Sequence, residues 1–357
     1  VDLKQGLSDE GYELYAPLDG FYTEYMKDED WRCRMIDGNN SWVIDRERPI
    51  EIVPMDLIAS SAKEAGEAVI TFGRVFGEGK DRDLYHSYML QSRERELLEA
   101  VSSAFHKEGK KVVVILNIGG AVETASWRDL ADAIVLAWQP GEEGGHTVAS
   151  VLSGAVNPSG RLPMTLSMRY EDEPSAPNFP LIYADKPFNY SFYRRLENNR
   201  KDMSVKDIDY TEYKEDIFVG YRWFNTFAKK KIAWPFGFGL SYTSFRWSGM
   251  KVKETADGWE VTLTVKNTGK MAGKDVVELY VSAPGKDMEK PKRELKGFAK
   301  TSLLDPGASE TVTILLPSGS LASYDEDSAT WVTEKGRYTL SAARNASDRG
   351  IRKRIRI

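Results

Sequence analysis

Lys111–Ile118, KVVVILNI, is an aliphatic run of mostly β-branched residues in which polar and apolar positions do not alternate. A strand with one wet face alternates. A strand buried on both faces does not, and such strands belong to parallel sheets covered by helices. Two further runs flank it, Ala68–Phe72 (AVITF) before and Ala131–Trp138 (ADAIVLAW) after. Between the first two, Ser92–Glu108 sets Leu97, Leu98, Val101, Ala104 and Phe105 at helical spacing against a charged face. Between the last two, Glu123–Leu130 is predicted as a short helix. The alternation is the α/β signature: a mostly parallel sheet flanked by helices, an α/β sandwich. Each run is followed by a glycine-containing loop, RVFGEGKDRD, NIGGAVE or QPGEEGG. Parallel strands point one way, so the three loops are predicted to share one sheet edge, where open α/β sheets carry their chemistry.

The flanking segments have other characters. Residues 1–15 read as the tail of a helix already under way, stopped at Gly11 and followed by extended Tyr12–Tyr15. Residues 16–50 read as irregular, and Pro54 opens a helix over Met55–Ala65 that Gly66 closes. A helix follows GEEGG through about Leu152, ending in a turn at Asn157–Arg161. Prolines and aromatics then dominate 163–215, with a charged patch at Arg194–Asp209, an extended crossover with a decorated loop. From about Trp247 the period becomes two: WEVTLTVKN, KDVVELYVSAP, ETVTILLP, RYTLSAA and IRKRIRI, separated by turn residues. These predict a smaller all-β sandwich of the fibronectin type III kind. The expected domains are 1–165 (α/β sandwich), 166–245 (linker and decorated loop) and 246–357 (β-sandwich).

Composition narrows the function classes. At 357 residues, two domains are the natural expectation. A net charge of −5 gives no reason to expect nucleic-acid binding, even with arginines alternating in the last strand. The single cysteine, Cys33, leaves no internal disulfide and no cysteine metal cluster, and the three histidines stand far apart, so no metal is expected. No apolar run reaches membrane-spanning length. GxGxxG, GxxxxGK[ST] and GxSxG are all missing, so no cofactor is expected and no hydrolase nucleophile elbow.

The residues that bear chemistry gather in the first loop. Glu78 stands between Gly77 and Gly79, with Arg74, Lys80, Asp81, Arg82 and Asp83 close by. It reads either as a solvated carboxylate paired to Arg74 or Arg82, or as a general acid/base on an adaptable arm. The cations favour its ionised form, so acid chemistry needs burial or a second carboxylate to raise its pKa. Glu142 and Glu143 read as dipole-stabilising residues of the next helix, whose amides could otherwise take an anion. Trp138, at the end of the third run, and Tyr183, Phe188, Tyr190, Phe192 and Tyr193 either stack on sugar rings or cover apolar surface.

In order along the chain stand GLSDEGYELY, ITFGRVFGEGKDRD, KKVVVILNIGGAVETASW, ADAIVLAWQPGEEGGHTVASVLSGAVNPSGRLPMTL, EDIFVGYRWF, WPFGFGLSYTSF and VTLTVKNTGKMAGKDVVELYVSAP. Together they resemble the family 3 glycoside hydrolases, in which a (β/α)8 barrel precedes an α/β sandwich and, in many members, a fibronectin-like domain. The resemblance covers the last two modules. It implies a retaining exo-acting β-glycosidase, a β-glucosidase with a β-xylosidase as neighbour, acting on β-linked gluco- or xylo-oligosaccharides. The glutamate of the family's loop corresponds to Glu78, with Arg74, Asp81, Arg82 and Trp138 as substrate-binding candidates. The family's nucleophile is a barrel aspartate, and no residue here matches it.

Further expectations follow from that resemblance. The nucleophile must come from a barrel domain or chain, and the 357 residues alone are expected not to hydrolyse glycosides. Val1 falls after the family's first sandwich strand, so the sheet is expected to need preceding residues or a partner chain. The resemblance favours a periplasmic or secreted location, and Asn39, Asn189 and Asn345 head N-x-S sequons. Two readings compete with the enzyme: a non-catalytic carbohydrate-binding or assembly module, and a structural remnant in which Glu78 is merely solvated.

Overall fold

The structure, a computed structural model, describes residues 1–27, 52–74, 84–177 and 213–357, with the backbone of 182–183 and 186–187. The described residues centre on two compact units, Val1–Ser153 and Gly154–Pro177 with Tyr213–Ile357.

In the first unit β1 (Glu67–Gly73), β2 (Lys111–Asn117) and β3 (Ala133–Leu136) form a parallel sheet in that order. Gly73 lies opposite Asn117, and Leu116 opposite Leu136, so the three carboxyl ends share one edge as the loops predicted. The helices are α1 (Leu3–Asp9), α2 (Ala16–Tyr25), α3 (Met55–Glu64), α4 (Ser92–Lys107) and α5 (Gly144–Ser153). One core joins Phe72, Leu98, Phe105, Val112, Val114 and Trp127. Each fully buried aliphatic or aromatic side chain contributes about 1.5–3 kcal/mol.

Four expectations need correction here. The N-terminal helix is capped within the chain, by Asp2 accepting from the Gln5 amide at 2.9 Å. Residues 16–25 are helical, with Pro17 in the first turn and Leu18, Phe21 and Tyr22 against the core. Their apolar positions are too few for helical periodicity to stand out. Glu123–Leu130 is a turn followed by one 3-10 turn, Arg128–Leu130, because Glu123 spends its carboxylate on the Ser126 amide and hydroxyl. β3 is shorter than its apolar run and only half-buried, since no described strand pairs along its outer side.

The second unit opens with the two-residue strand β4 (Leu166–Ser167), while the two-residue strands β5 (Ile182–Tyr183) and β6 (Lys186–Pro187) pair with each other and cluster with the first unit; α6 (Tyr221–Phe227) and β7 (Ile232–Trp234) follow in the second. The Arg194–Asp209 patch and the aromatics Phe188, Tyr190, Phe192 and Tyr193 lie outside the described residues. The β-sandwich is built from β8 (Phe245–Thr255), β9 (Gly258–Asn267), β10 (Val276–Ser282), β11 (Glu294–Lys300), β12 (Ser309–Pro317), β15 (Arg337–Ala343) and β16 (Ile351–Arg356). A hairpin, β13 (Ser323–Asp325) and β14 (Thr330–Val332), precedes β15. Sheets β11-β10-β15-β16 and β12-β9-β8 face one another across Val261, Leu263, Val265, Leu279, Ile314 and Leu340. Alternation along β9 and β12 supplies that core.

Two of the buried carboxylates in this unit, Glu334 and Glu278, are held on opposite terms. Burial alone would raise Glu334, yet Lys290 and the amides of Gly285, Lys286 and Asp287 surround it and hold its pKa down at about 2. Glu278 lies on the outer face of β10, beneath the segment around Gly237. Its burial pushes its pKa up to about 7, with the Tyr280 hydroxyl donating to it at 2.7 Å. Gly237 has φ +82°, and a Cβ there would fall 2.2 Å from the Glu278 carboxylate, so both the backbone and the contact require glycine.

A raised carboxyl pKa means that the folded chain holds its proton more tightly than the unfolded one. The stability due to Glu278 is complete below its ordinary value of 4.5 and is lost as pH rises toward about 7. Glu278→Gln is expected to remove a decline of order 3 kcal/mol from the stability–pH profile in that window, read by urea unfolding at each pH. An unchanged profile would show that Glu278 does not titrate there.

Candidate active-site edge

The site is built on the carboxyl edge of the parallel sheet. Pairing runs one residue past each strand: the Arg74 amide donates to Asn117 O at 3.2 Å, and the Ile118 amide to Trp138 O at 3.1 Å. The first residues of all three loops are therefore tied in a row before the loops diverge.

Arg74 is 6% exposed and points inward. Its guanidinium grips Glu94 bidentately at 2.6 and 2.7 Å. It also donates to the carbonyls of Ser87 (2.7 Å), Gly73 (2.7 Å) and Met89 (3.2 Å). Ser87 belongs to the π-helical turn Leu84–Tyr88, where the chain returns from the loop. One buried cation thus clasps the outgoing and the returning ends of the first loop together. Its donors all meet protein acceptors, Glu94 and three backbone carbonyls. Among the described residues its bidentate partner is Glu94.

Glu94 is the residue that sequence reasoning missed. The helical pattern assigned it to the charged face of α4, yet it is 3% exposed. It sits in the first turn of α4, and its carboxylate also accepts from the Gln91 amide at 2.8 Å in a reciprocal capping box. The signal was the spacing Gln91-x-x-Glu94 just before an apolar run.

The second loop is locked to the same turn. The Glu123 amide donates to Tyr88 O at 2.8 Å, and the Trp127 indole N–H donates to Glu123 O at 2.6 Å. Trp127, 1% exposed, meets Phe72 of β1 edge to face at 6.2 Å. Behind the sheet, Asp132 takes Lys111, the Val112 amide and His106, which hold its carboxyl well below the usual carboxylate range. His106, assigned from sequence to the helix dipole, therefore has a specific acidic partner.

The third loop begins at Trp138, whose φ of +55° is left-handed, while its ring packs partly against the core. Glu143 pairs with His146 at 2.6 Å, and Asp9 of α1 meets the other ring nitrogen at 2.8 Å. Hydrogen bonds to Asp9 and Glu143 raise the imidazole pKa, and the imidazole lowers both carboxyls. α1 and α5 approach backbone to backbone at Gly6 and Gly145, where a Cβ on Gly145 would overlap Asp2 O at 1.9 Å.

Glu78, Asp81 and Arg82 lie outside the described residues, as does the side chain of His86. What the described edge displays is a frame: a buried ion pair and a helix cap that fix where residues 75–83 leave and return.

A sequence profile of the Glycosyl hydrolase family 3 C-terminal domain matches residues 54–242, and one of the Fibronectin type III-like domain matches residues 275–346. "Beta-glucosidase A" of Butyrivibrio fibrisolvens is 34% identical over 94% of this chain and 42% of its own length. "Beta-glucosidase" of Ruminococcus albus is 35% identical over 95% of this chain and 33% of its own. The solved structure of β-glucosidase 3B from Thermotoga neapolitana in complex with α-D-glucose superposes with a TM-score of 0.84 at 36% identity, covering 99% of this chain and 46% of that one. The chain therefore spans less than half the length of each of these relatives.

Proposed function

The chain belongs to glycoside hydrolase family 3, and on that premise we propose that it is the acid/base-bearing portion of a retaining, exo-acting β-glucosidase. Glu78 is the acid/base. Its nucleophilic partner is an aspartate from a (β/α)8 barrel outside these 357 residues. The observation that carries the reading is the clasp of Arg74 on Glu94, Ser87 and Met89, which fixes both ends of the segment containing Glu78 at the carboxyl edge of a parallel sheet.

In the reaction Glu78 protonates the glycosidic oxygen as the bond to the sugar breaks, and the aspartate forms the glycosyl-enzyme. Glu78 then takes a proton from the water that releases the sugar. Retention requires the two carboxyl groups about 5–5.5 Å apart across the sugar, and their mutual repulsion raises the pKa of the one that must act as acid. Asp81 and Arg82 share the arm and contact the substrate, and Trp138 offers a ring to its apolar face. Arg74 is a positioning residue. The curated relatives quoted above are β-glucosidases, which favours a β-glucoside as substrate.

The test is turnover of an aryl β-glucoside by the 357-residue polypeptide alone and by a longer polypeptide that adds the barrel. Turnover by the longer protein only is expected. Turnover by the 357 residues alone would overturn the assignment of the nucleophile to the barrel.

A further inference from the structure

The outer face of β15 and β16 carries a ridge of cations. Arg337 lies directly opposite Arg356, Thr339 opposite Arg354, and Ser341 opposite Arg352. Residues opposite one another share a face, so the four arginines stand on one side of the sheet. Ile351, Ile355, Tyr338, Leu340 and Ala342 take the other side, against the core. Arg337, Arg352, Arg354 and Arg356 are exposed, and none of the four forms an ion pair with a carboxylate among the described residues. Like charges directly across a strand pair are destabilising. Here such a pair, Arg337 and Arg356, sits in a chain whose formal charge is −5.

We propose that this ridge binds an anionic polysaccharide, a linear glycan with carboxylates on successive sugars. Alternate residues along β16 are about 6.7 Å apart, and an opposed pair about 5 Å, so the guanidinium groups form an array along a flat surface. Guanidinium forks match carboxylates bidentately, and the Thr339 hydroxyl supplies a donor between them for sugar oxygens. The chemistry of the face favours this occupant over other polyanions. Its exposed outward positions hold arginines with Thr339 between them, while Ser341 and Ala343 are buried, so the ridge offers no aromatic on which bases would stack and no large apolar group to enter a lipid surface. The preference for a glycan also leans on the glycosidase reading, whereas the binding itself requires no turnover.

The experiment is affinity electrophoresis of the full chain through gels containing polygalacturonate, hydroxyethylcellulose or no polymer, at about 50 mM and about 300 mM salt, conditions of weak and strong screening. Binding to duplex DNA and to phosphatidylglycerol vesicles is measured in parallel. Retardation by polygalacturonate alone is expected, lost at the higher salt, and weakened about tenfold or more in Arg354→Glu/Arg356→Glu. Arg354→Gln/Arg356→Gln, which adds no negative charge, is expected to fall between, with unfolding midpoints of both variants checked against the parent. No retardation at low salt, or equal retardation of parent and variants, would overturn the proposal. Tighter binding to DNA or to vesicles than to polygalacturonate would overturn it too, while leaving the glycosidase assignment standing.

Discussion

Arg74→Met is expected to lower the unfolding free energy by about 3–5 kcal/mol, because it leaves the Glu94 carboxylate buried without its cation. The comparison that isolates this cause is the double variant. Arg74→Met/Glu94→Leu removes both charges from the same space and is expected to recover most of the loss. Glu94→Leu also surrenders the cap on α4, so recovery stays short of complete by about 1 kcal/mol. Urea unfolding of the parent, both single variants and the double variant reads the coupling. If the single and double variants are equally destabilised, Arg74 matters through its carbonyl contacts rather than through the ion pair. In the whole enzyme Arg74→Met is also expected to lower kcat more than it raises KM. It releases the two ends of the loop carrying the proposed acid, in keeping with the positioning role proposed for Arg74.

Glu78→Gln in the whole enzyme is the second large effect. General acid catalysis contributes about 10²–10⁴-fold, so hydrolysis of cellobiose, whose leaving group must be protonated, is expected to fall by that factor. Cleavage of a dinitrophenyl β-glucoside needs no proton, and its first step is expected to be spared, giving a burst of phenolate followed by slow release of the sugar. The alkaline limb of the kcat/KM profile is expected to flatten on activated substrates, because that limb reports loss of the acid's proton. Undiminished cellobiose hydrolysis would move the acid role to another residue.

Elements whose patterns are local and strong were legible before the structure. The continuous apolar runs of β1 and β2, the amphipathic Ser92–Lys107 and the period-two strands of the sandwich each bury one kind of surface, and the residues announce it. The shared edge followed from parallel pairing alone. What could not be read depends on partners distant in sequence. Whether Glu94 faces water or Arg74 is decided by a contact twenty residues away. Glu278 occupies an outward position of β10 and is buried only because the segment around Gly237 covers it. Arg74 drew attention as a cation in a loop of charge, and only the fold shows its donors turned inward. Glu78 itself rests on sequence position and family membership, with the frame around its loop as support.

The central claim, that Glu78 is the acid/base of a retaining glycosidase, is tested most directly by azide rescue of Glu78→Gln in the whole enzyme. Azide attacks the glycosyl-enzyme without needing a base. The account predicts that added azide restores turnover of the dinitrophenyl β-glucoside, leaves the parent enzyme unaffected, and yields β-glucosyl azide with retained configuration. Turnover of Glu78→Gln that is insensitive to azide, with glucose as the sole sugar product, would contradict it.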